Sequence, residues 1–191
     1  MTTDMGAPPG NAGGTDRRVL LLPGWQDSGA THWQSRWEAL HGYRRVQQDD
    51  WLWPRRGDWM TRLEETLLEN PTPAVLVAHS LGCHLVAAWA AHSRHVARVH
   101  AALLVAPPDA ERDDTPANLY SWRPIVRQRL PFRSLVVASS DDAYCSLARA
   151  SGLAADWGSA WCLLGARGHI NSESQLGEWS EGHALLQPLM S

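Results

Sequence analysis

The chain has 191 residues, of which 44% are hydrophobic and 19% charged, a balance typical of one folded globular domain and not of a disordered chain. Its net charge of −3 argues against nucleic acid or an anionic membrane as the main partner. No apolar run approaches the roughly 20 residues that span a bilayer, and the first residues lack the apolar core of a secretory signal, so we expect a soluble, cytoplasmic protein.

The absence of lysine and the spacing of the cysteines exclude several kinds of catalytic and cofactor site. All 17 basic residues are arginine, so a Schiff-base lysine and the lysine of a phosphate-binding loop are both excluded. The three cysteines lack Cys-x-x-Cys spacing and fit neither a disulfide framework nor a zinc site. We therefore expect no metal, nucleotide or redox cofactor.

Apolar runs predict the strands. Residues 1–16 are rich in Gly, Pro, Ala and Thr and are expected to form a flexible tail, followed by the folded domain over 17–191. Five runs are apolar almost throughout, which is typical of strands covered on both faces, and a weaker strand is expected over 44–48. The five runs cover residues 19–22, 74–78, 101–105, 134–138 and 160–164.

Helical patterns separate these strands. Apolar residues share a predicted helix face in two places, and the Ala-rich stretch 81–91 predicts a fully packed helix. The two faces comprise Trp33, Trp37 and Leu40, and Leu63, Leu67 and Leu68. Alternating strands and helices with short connections predict a single α/β domain with a mostly parallel sheet of about six strands. The connection 106–133 is too short for a large cap domain, although 119–122 could cover the mouth of a site.

Ser80 lies between a predicted strand and the Ala-rich helix. The pentapeptide from Ala78 to Gly82 is a small-x-Ser-x-Gly pattern, typical of a nucleophile elbow, with Ala78 in place of the usual first glycine. Small residues are needed on both sides because the strand and the helix approach closely at the turn. The pattern predicts that Ser80 is a nucleophile and that the Leu81 N–H stabilises an oxyanion. Alternatively, Ser80 only caps the helix.

Two later loops offer the partners that a serine nucleophile needs. Asp141 and Asp142 follow the strand 134–138, and His169 follows the strand 160–164, in the chain order that accompanies a nucleophile elbow. The carboxyl ends of parallel strands meet at one edge of a sheet. We expect His169 to act as general base and one of the aspartates to orient it. Alternatively, both aspartates only stabilise the turn.

The turn after the first strand completes the predicted site. Its glycine-containing sequence is expected to supply a second oxyanion donor, the backbone N–H of Trp25. Trp25, Gln26 and Ser28 are candidate substrate contacts, and the last could instead only form the turn. We expect most of the 11 tryptophans to be buried in the core and His79 to pack behind the serine.

These residues occur in blocks that resemble a known family. The blocks are Leu22-Pro23-Gly24-Trp25, His32-Trp33-Gln34, Asp50-Trp51, Asp58-Trp59, the elbow, Val105-Ala106-Pro107-Pro108-Asp109, the segment from Ser140 to Cys145, and Gly168-His169-Ile170-Asn171. Over about residues 18–190 the chain is similar to the small serine hydrolases that include retinoblastoma-binding protein 9 and its bacterial relatives. The resemblance implies a three-layer α/β-hydrolase fold without a large cap. It also identifies Asp142 as the acid, with Ala143 in place of the family's proline.

The sequence therefore predicts a serine hydrolase that cleaves a small ester or amide, with an acyl or aminoacyl group, through Ser80, Asp142 and His169. The expected partner is a small-molecule substrate, with no nucleic acid and no membrane, and no sequence feature supports a protein partner. Two alternatives remain open. The chain could be a weakly catalytic binding module on a hydrolase scaffold, or an acyltransferase or thioesterase.

Overall fold

Six parallel strands form one sheet in the computed structural model, which describes residues 17–191. The strands are β1 (Val19–Leu22), β2 (Arg44–Arg45), β3 (Ala74–His79), β4 (Val99–Val105), β5 (Arg133–Ala138) and β6 (Ala160–Leu163). Their order in the sheet is β2-β1-β3-β4-β5-β6, and every neighbouring pair is parallel. The predicted single α/β domain is thus confirmed, whereas the predicted tail over 1–16 lies outside the described residues.

Five α-helices cover the sheet on both faces. They are α1 (Trp33–His41), α2 (Arg56–Leu68), α3 (Leu81–His92), α4 (Leu147–Trp157) and α5 (Ser180–Met190). Alternate residues of β1 and β3 pack into two separate cores, one shared with α2, α3 and α4 and the other with α1 and α5. Because strand side chains alternate between faces, strands with helices on both sides must be apolar throughout, as the sequence predicts. None of these helices is long and apolar enough to cross a bilayer.

The strand register gathers several loops at one edge of the sheet. Leu22 of β1 lies beside Ala78 of β3, and His79 lies beside Val105 of β4. Val105 in turn lies beside Val137 of β5, so the carboxyl ends of the strands are level. The loops that follow them therefore start close together, which is where open α/β sheets place their sites.

Three details differ from the sequence prediction. The ends of the predicted helix faces are not buried, since Leu40 and Leu68 are 53% and 43% exposed in the last turns of their helices. Strand β2 has only two residues instead of the five expected. Strand β6 is not covered on both faces: Cys162 packs against the core that α1 and α5 share, whereas Trp161 and Leu163 point to the opposite face and are 37% and 45% exposed.

The connection between β4 and β5 carries no α-helix, so a large cap is absent from this part of the described chain. Its main ordered element is a 3₁₀ segment, Ala117–Trp122. Trp122 is buried, and its indole N–H donates to the carbonyl oxygen of Pro54 at 2.8 Å. Tyr120 remains half exposed. Asn118 Nδ2 and Ser121 Oγ also donate to the carbonyl oxygens of Leu52 and Pro54, at 2.6 and 3.2 Å, so several residues anchor the segment to the chain that precedes α2.

Candidate active site

Ser80 occupies the tight turn between β3 and α3. Its backbone angles are φ 53° and ψ −123°, a conformation that residues other than glycine rarely adopt. A Cβ on Gly82 would lie 2.3 Å from the carbonyl oxygen of Leu22, so only glycine fits where the helix crosses β1. Ala78, on the other side of the turn, is fully buried. The predicted need for small residues on both sides of the serine therefore has a direct steric cause.

Ser80, His169 and Asp142 form one hydrogen-bonded line. His169 Nε2 lies 2.9 Å from Ser80 Oγ. The other ring nitrogen, Nδ1, lies 2.9 Å from each carboxylate oxygen of Asp142. The side chains of His169 and Asp142 are only 10% and 4% exposed. This arrangement can pass the Ser80 proton to the imidazole and stabilise the imidazolium that results.

Asp141 does not contact the imidazole. Its Oδ1 atom accepts hydrogen bonds from Ser139 Oγ at 2.6 Å and from the backbone N–H groups of Arg167 and Gly168 at 2.8 Å each. These bonds, with that from Ser139 the strongest influence, lower the pKa of the Asp141 carboxyl. Of the two adjacent aspartates, Asp142 is thus the one in position to orient the His169 ring.

The turn after β1 lies directly against the nucleophile. A Cβ on Gly24 would lie 2.7 Å from Ser80 Cβ and 3.2 Å from Ser80 Oγ. Gln26 and Asp27 in this turn both have left-handed backbone conformations. The Gln26 N–H donates to the carbonyl oxygen of Trp51 at 3.0 Å, which fixes the position of the turn. Among the described residues, neither the Trp25 N–H nor the Leu81 N–H donates to a backbone or side-chain acceptor. Both predicted oxyanion donors are therefore available to a ligand.

A cavity of about 450 Å³ lies above Ser80 and His169. Trp25, Leu119 and Tyr144 supply its apolar surface, and the Tyr144 ring is 4.5 Å from the His169 ring. The charged residues among its lining are Asp27, Asp109, Arg112 and Asp114. A cavity of about 540 Å³ beside Trp53 contains no member of the serine, histidine and aspartate line. The smaller cavity is therefore the candidate substrate pocket.

Two of the three predicted substrate contacts line this cavity, and one does not. Trp25 and Gln26 are on its wall. Ser28 is buried, and its hydroxyl donates to Gln34 Oε1 at 2.8 Å. Its carbonyl oxygen accepts a hydrogen bond from Arg45 at 2.9 Å. Ser28 thus fastens the turn to α1 and β2, and its side chain is not available to a substrate.

Buried histidines lie behind the site. His79 packs as expected, and its Nε2–H donates to the carbonyl oxygen of His169 at 3.0 Å. His32, for which the sequence predicts no role, packs against it with 4.7 Å between ring centroids and accepts the Gln34 N–H on Nδ1. Burial lowers the pKa of His32 to about 3 and holds the pKa of His79 well below its ordinary value. Both rings are therefore neutral supports for the loop that carries His169.

These histidines make folding sensitive to acid. Burial also lowers the pKa of His84 to about 4, so three histidines stay neutral in the fold while they bind protons near pH 6.5 when unfolded. Below that pH the unfolded chain gains protons that the folded chain does not, so stability decreases as pH falls. We expect the free energy of unfolding to fall by about 3 kcal/mol between pH 6.5 and 5.5, measured by urea unfolding.

Two variants provide the comparison for this pH dependence. His84→Gln removes one buried histidine and should reduce the decrease by about a third. His95, by contrast, is half exposed, and His95→Gln is the control for the loss of a histidine that folding does not bury. A free energy of unfolding that is constant between these pH values would contradict the prediction.

The two buried cysteines are weaker candidates for a nucleophile than Ser80. Cys83 and Cys145 are buried, and burial raises the pKa of the Cys145 thiol to about 12 and that of Cys83 well above its usual value. Over residues 17–191 no cluster of three or more His, Cys, Asp or Glu side chains could hold a metal ion. The chemistry that this edge of the sheet offers is thus that of a serine, a histidine and a carboxylate.

Comparison with solved structures shows the same fold in other hydrolases. A YdeN-like hydrolase from Pectobacterium atrosepticum is 28% identical, with a TM-score of 0.79 over 91% of this chain and 90% of that one. The ydeN gene product of B. subtilis is 20% identical, with a TM-score of 0.70 over 91% and 98%. The esterase RhEst1 from Rhodococcus sp. is 14% identical, with a TM-score of 0.65 over 91% of each chain. The predicted α/β-hydrolase fold is confirmed.

The family assignment rests on a match to nearly the whole described chain. The curated proteins contain no sequence match. The narrower resemblance to retinoblastoma-binding protein 9 stays a prediction. The model of the serine hydrolase family, however, matches residues 19–188, which include the elbow and both partner loops. The chain therefore belongs to the serine hydrolase family, and it is a hydrolase.

Proposed function

We propose that this hydrolase cleaves a small ester or amide through an acyl-enzyme intermediate on Ser80, with His169 as the acid–base group and Asp142 as its partner. The observation that carries the proposal is the hydrogen-bonded line across the three side chains, with 2.9 Å at each step. No single element creates this line. It brings together the ends of β3 and β5 and the loop after β6, as a functional site at a sheet edge requires.

In the first half of the reaction Ser80 Oγ attacks the acyl carbon while His169 Nε2 takes its proton. The Asp142 carboxylate keeps the remaining proton on Nδ1, which leaves Nε2 free to accept. His169 then donates the proton to the departing alcohol or amine, and the acyl group stays on the serine. In the second half water attacks the acyl-enzyme, His169 takes a proton from it, and the acid product leaves as the proton returns to Ser80.

The backbone N–H groups of Leu81 and Trp25 would stabilise the negative charge that develops on the acyl oxygen. The first begins helix α3, so the positive end of the helix dipole points at the same place. The second is positioned by Gly24, whose lack of a side chain lets the turn approach Ser80. Trp25 and Gln26 would also contact the substrate through their side chains.

The dimensions of the pocket favour small substrates. A cavity of about 450 Å³ has room for a short acyl or aminoacyl group but offers no long apolar channel. In a series of p-nitrophenyl esters of increasing acyl length we expect kcat/KM to be highest for short chains. A maximum beyond about ten carbons would contradict this substrate class.

The mechanism is tested by the mass of the intact protein after treatment with a fluorophosphonate, whose phosphorus is attacked by an activated serine with loss of fluoride. We expect one adduct on the wild-type protein and none on Ser80→Ala, with circular dichroism showing that both are folded. An unlabelled, folded wild-type protein would overturn the proposed mechanism and favour a binding role on a hydrolase scaffold.

A further inference from the structure

The backbone around His169 is held by side chains from three other parts of the fold. Asp141 accepts the N–H groups of the two residues that precede the histidine. On the other side, His79 donates to the His169 carbonyl oxygen, and Trp33 donates its indole N–H to the Ile170 carbonyl oxygen at 2.8 Å. The imidazole thus projects from a peptide segment that is fixed both before and after it.

The segment needs this support because its own conformation is unfavourable. Gly168 and Ile170, the residues on either side of His169, have φ values of 56° and 51°. A left-handed β-branched residue is strained. No regular helix or strand covers 164–171. The position of the imidazole therefore depends on contacts from outside the segment.

We propose that Asp141 is a positioning residue for the proposed reaction. Its carboxylate joins the loop after β5 to the loop that carries His169, so that the imidazole stays aligned between Ser80 and Asp142. The inference rests on the proposed catalytic role of those three residues. It assigns the neighbouring aspartates different tasks: Asp142 orients the ring, and Asp141 orients the backbone that carries it.

The contacts of Asp141 are suited to that task. All three of its hydrogen bonds converge on one oxygen, Oδ1, at 2.6 to 2.8 Å. Bonds to an ionised acceptor are stronger than neutral ones, and the lowered pKa of this carboxyl keeps it ionised near neutral pH. Ser139 Oγ donates to Asp141 and also accepts the Arg167 N–H at 2.8 Å, which closes a ring between the two loops. Losing the carboxylate would free the Gly168 N–H, next to the catalytic base, and would leave the Arg167 N–H bonded to Ser139 Oγ alone.

Two substitutions at Asp141 separate positioning from simple structural support. Asp141→Ala removes Oδ1, and we expect kcat to fall by about 30-fold with KM changed less than about threefold, since a displacement of ~1 Å costs up to 10²-fold. Asp141→Asn keeps an acceptor oxygen in the same place and should restore kcat to within about fivefold of wild type. The rate of fluorophosphonate labelling should follow kcat in both variants.

A control and a second readout complete the test. Asp156, a partly exposed carboxylate on α4 that pairs with Arg127, makes no contact with the site, and Asp156→Ala should leave kcat within about twofold. Amide hydrogen exchange reports on the hydrogen bonds of Asp141 without catalysis: the Gly168 N–H should be protected in wild type and exchange faster in Asp141→Ala.

Three outcomes would each contradict a different part of the proposal. If kcat and labelling of Asp141→Ala stay within about threefold of wild type, Asp141 does not position His169, even where exchange increases. If kcat falls while the Gly168 N–H remains protected, the hydrogen bonds of Asp141 to this segment do not position His169, and Asp141 acts in another way. If the wild-type protein is not labelled at all, the proposed function itself fails, whatever the exchange data show.

Discussion

Ser80→Ala is expected to lower kcat by about 10⁴-fold or more, because the substitution removes the only atom that can form the acyl-enzyme. Neither Cys83 nor Cys145 could take over the role of the missing serine, since burial raises the pKa of both thiols. The rate should be measured with the best ester of the chain-length series under single-turnover conditions, which separate acylation from later steps.

The unfolding transition serves as the control for this variant. Ser80 Oγ–H donates one hydrogen bond, to His169 Nε2, and alanine keeps the β-carbon that lies beside Gly24. We therefore expect the free energy of unfolding of Ser80→Ala to lie within about 1 kcal/mol of wild type. Activity that survives within tenfold would show that Ser80 is not the nucleophile.

Asp142→Asn is expected to lower kcat by about 10⁴-fold as well, although it changes one atom. An asparagine at this position can donate its amide hydrogens to Nδ1 of His169 and thereby place the ring proton on Nε2. Nε2 could then no longer accept the proton of Ser80, which it faces at 2.9 Å. The measurement is kcat against pH, where the loss should persist at all values between 6 and 9.

Asp141→Asn provides the comparison because it carries the same chemical change on the adjacent residue. Its effect should be smaller by at least 10²-fold, since an amide oxygen can still accept the N–H groups of Arg167 and Gly168. The opposite ranking would move the catalytic acid to Asp141 and would contradict the geometry around His169.

Features that depend on neighbours in sequence could be predicted best. Strand β3 is an uninterrupted apolar run, and the elbow needs small residues at fixed distances from Ser80, so both can be recognised within a few residues. The edge at which His169 lies follows from the parallel order of the strands. The length of the β4–β5 connection was also enough to exclude a large cap.

Side-chain orientations and contacts between residues that are far apart in the sequence could not be predicted. The chemistry of Asp141 and Asp142 is identical, and only the orientation of each side chain separates them; the family resemblance, not the residues themselves, pointed to Asp142. The local sequence around Ser28 is that of an exposed turn that could contact a substrate. Ser28 is buried because Gln34 and Arg45, which come later in the sequence, bond to it. No pattern in the neighbouring sequence predicts the role of His32, because that role depends on a contact with His79, which joins the start of α1 to β3.

The left-handed backbone of Ser80 has a consequence for the evolution and engineering of this protein. A conformation of this kind costs about 1–3 kcal/mol for any residue with a side chain, and glycine alone adopts it without that cost. The residue proposed to perform the chemistry is therefore one at which the folded state sacrifices stability for activity. A search for stabilising substitutions, made without an activity screen, would therefore select against the nucleophile, and glycine at position 80 is one exchange that it would favour.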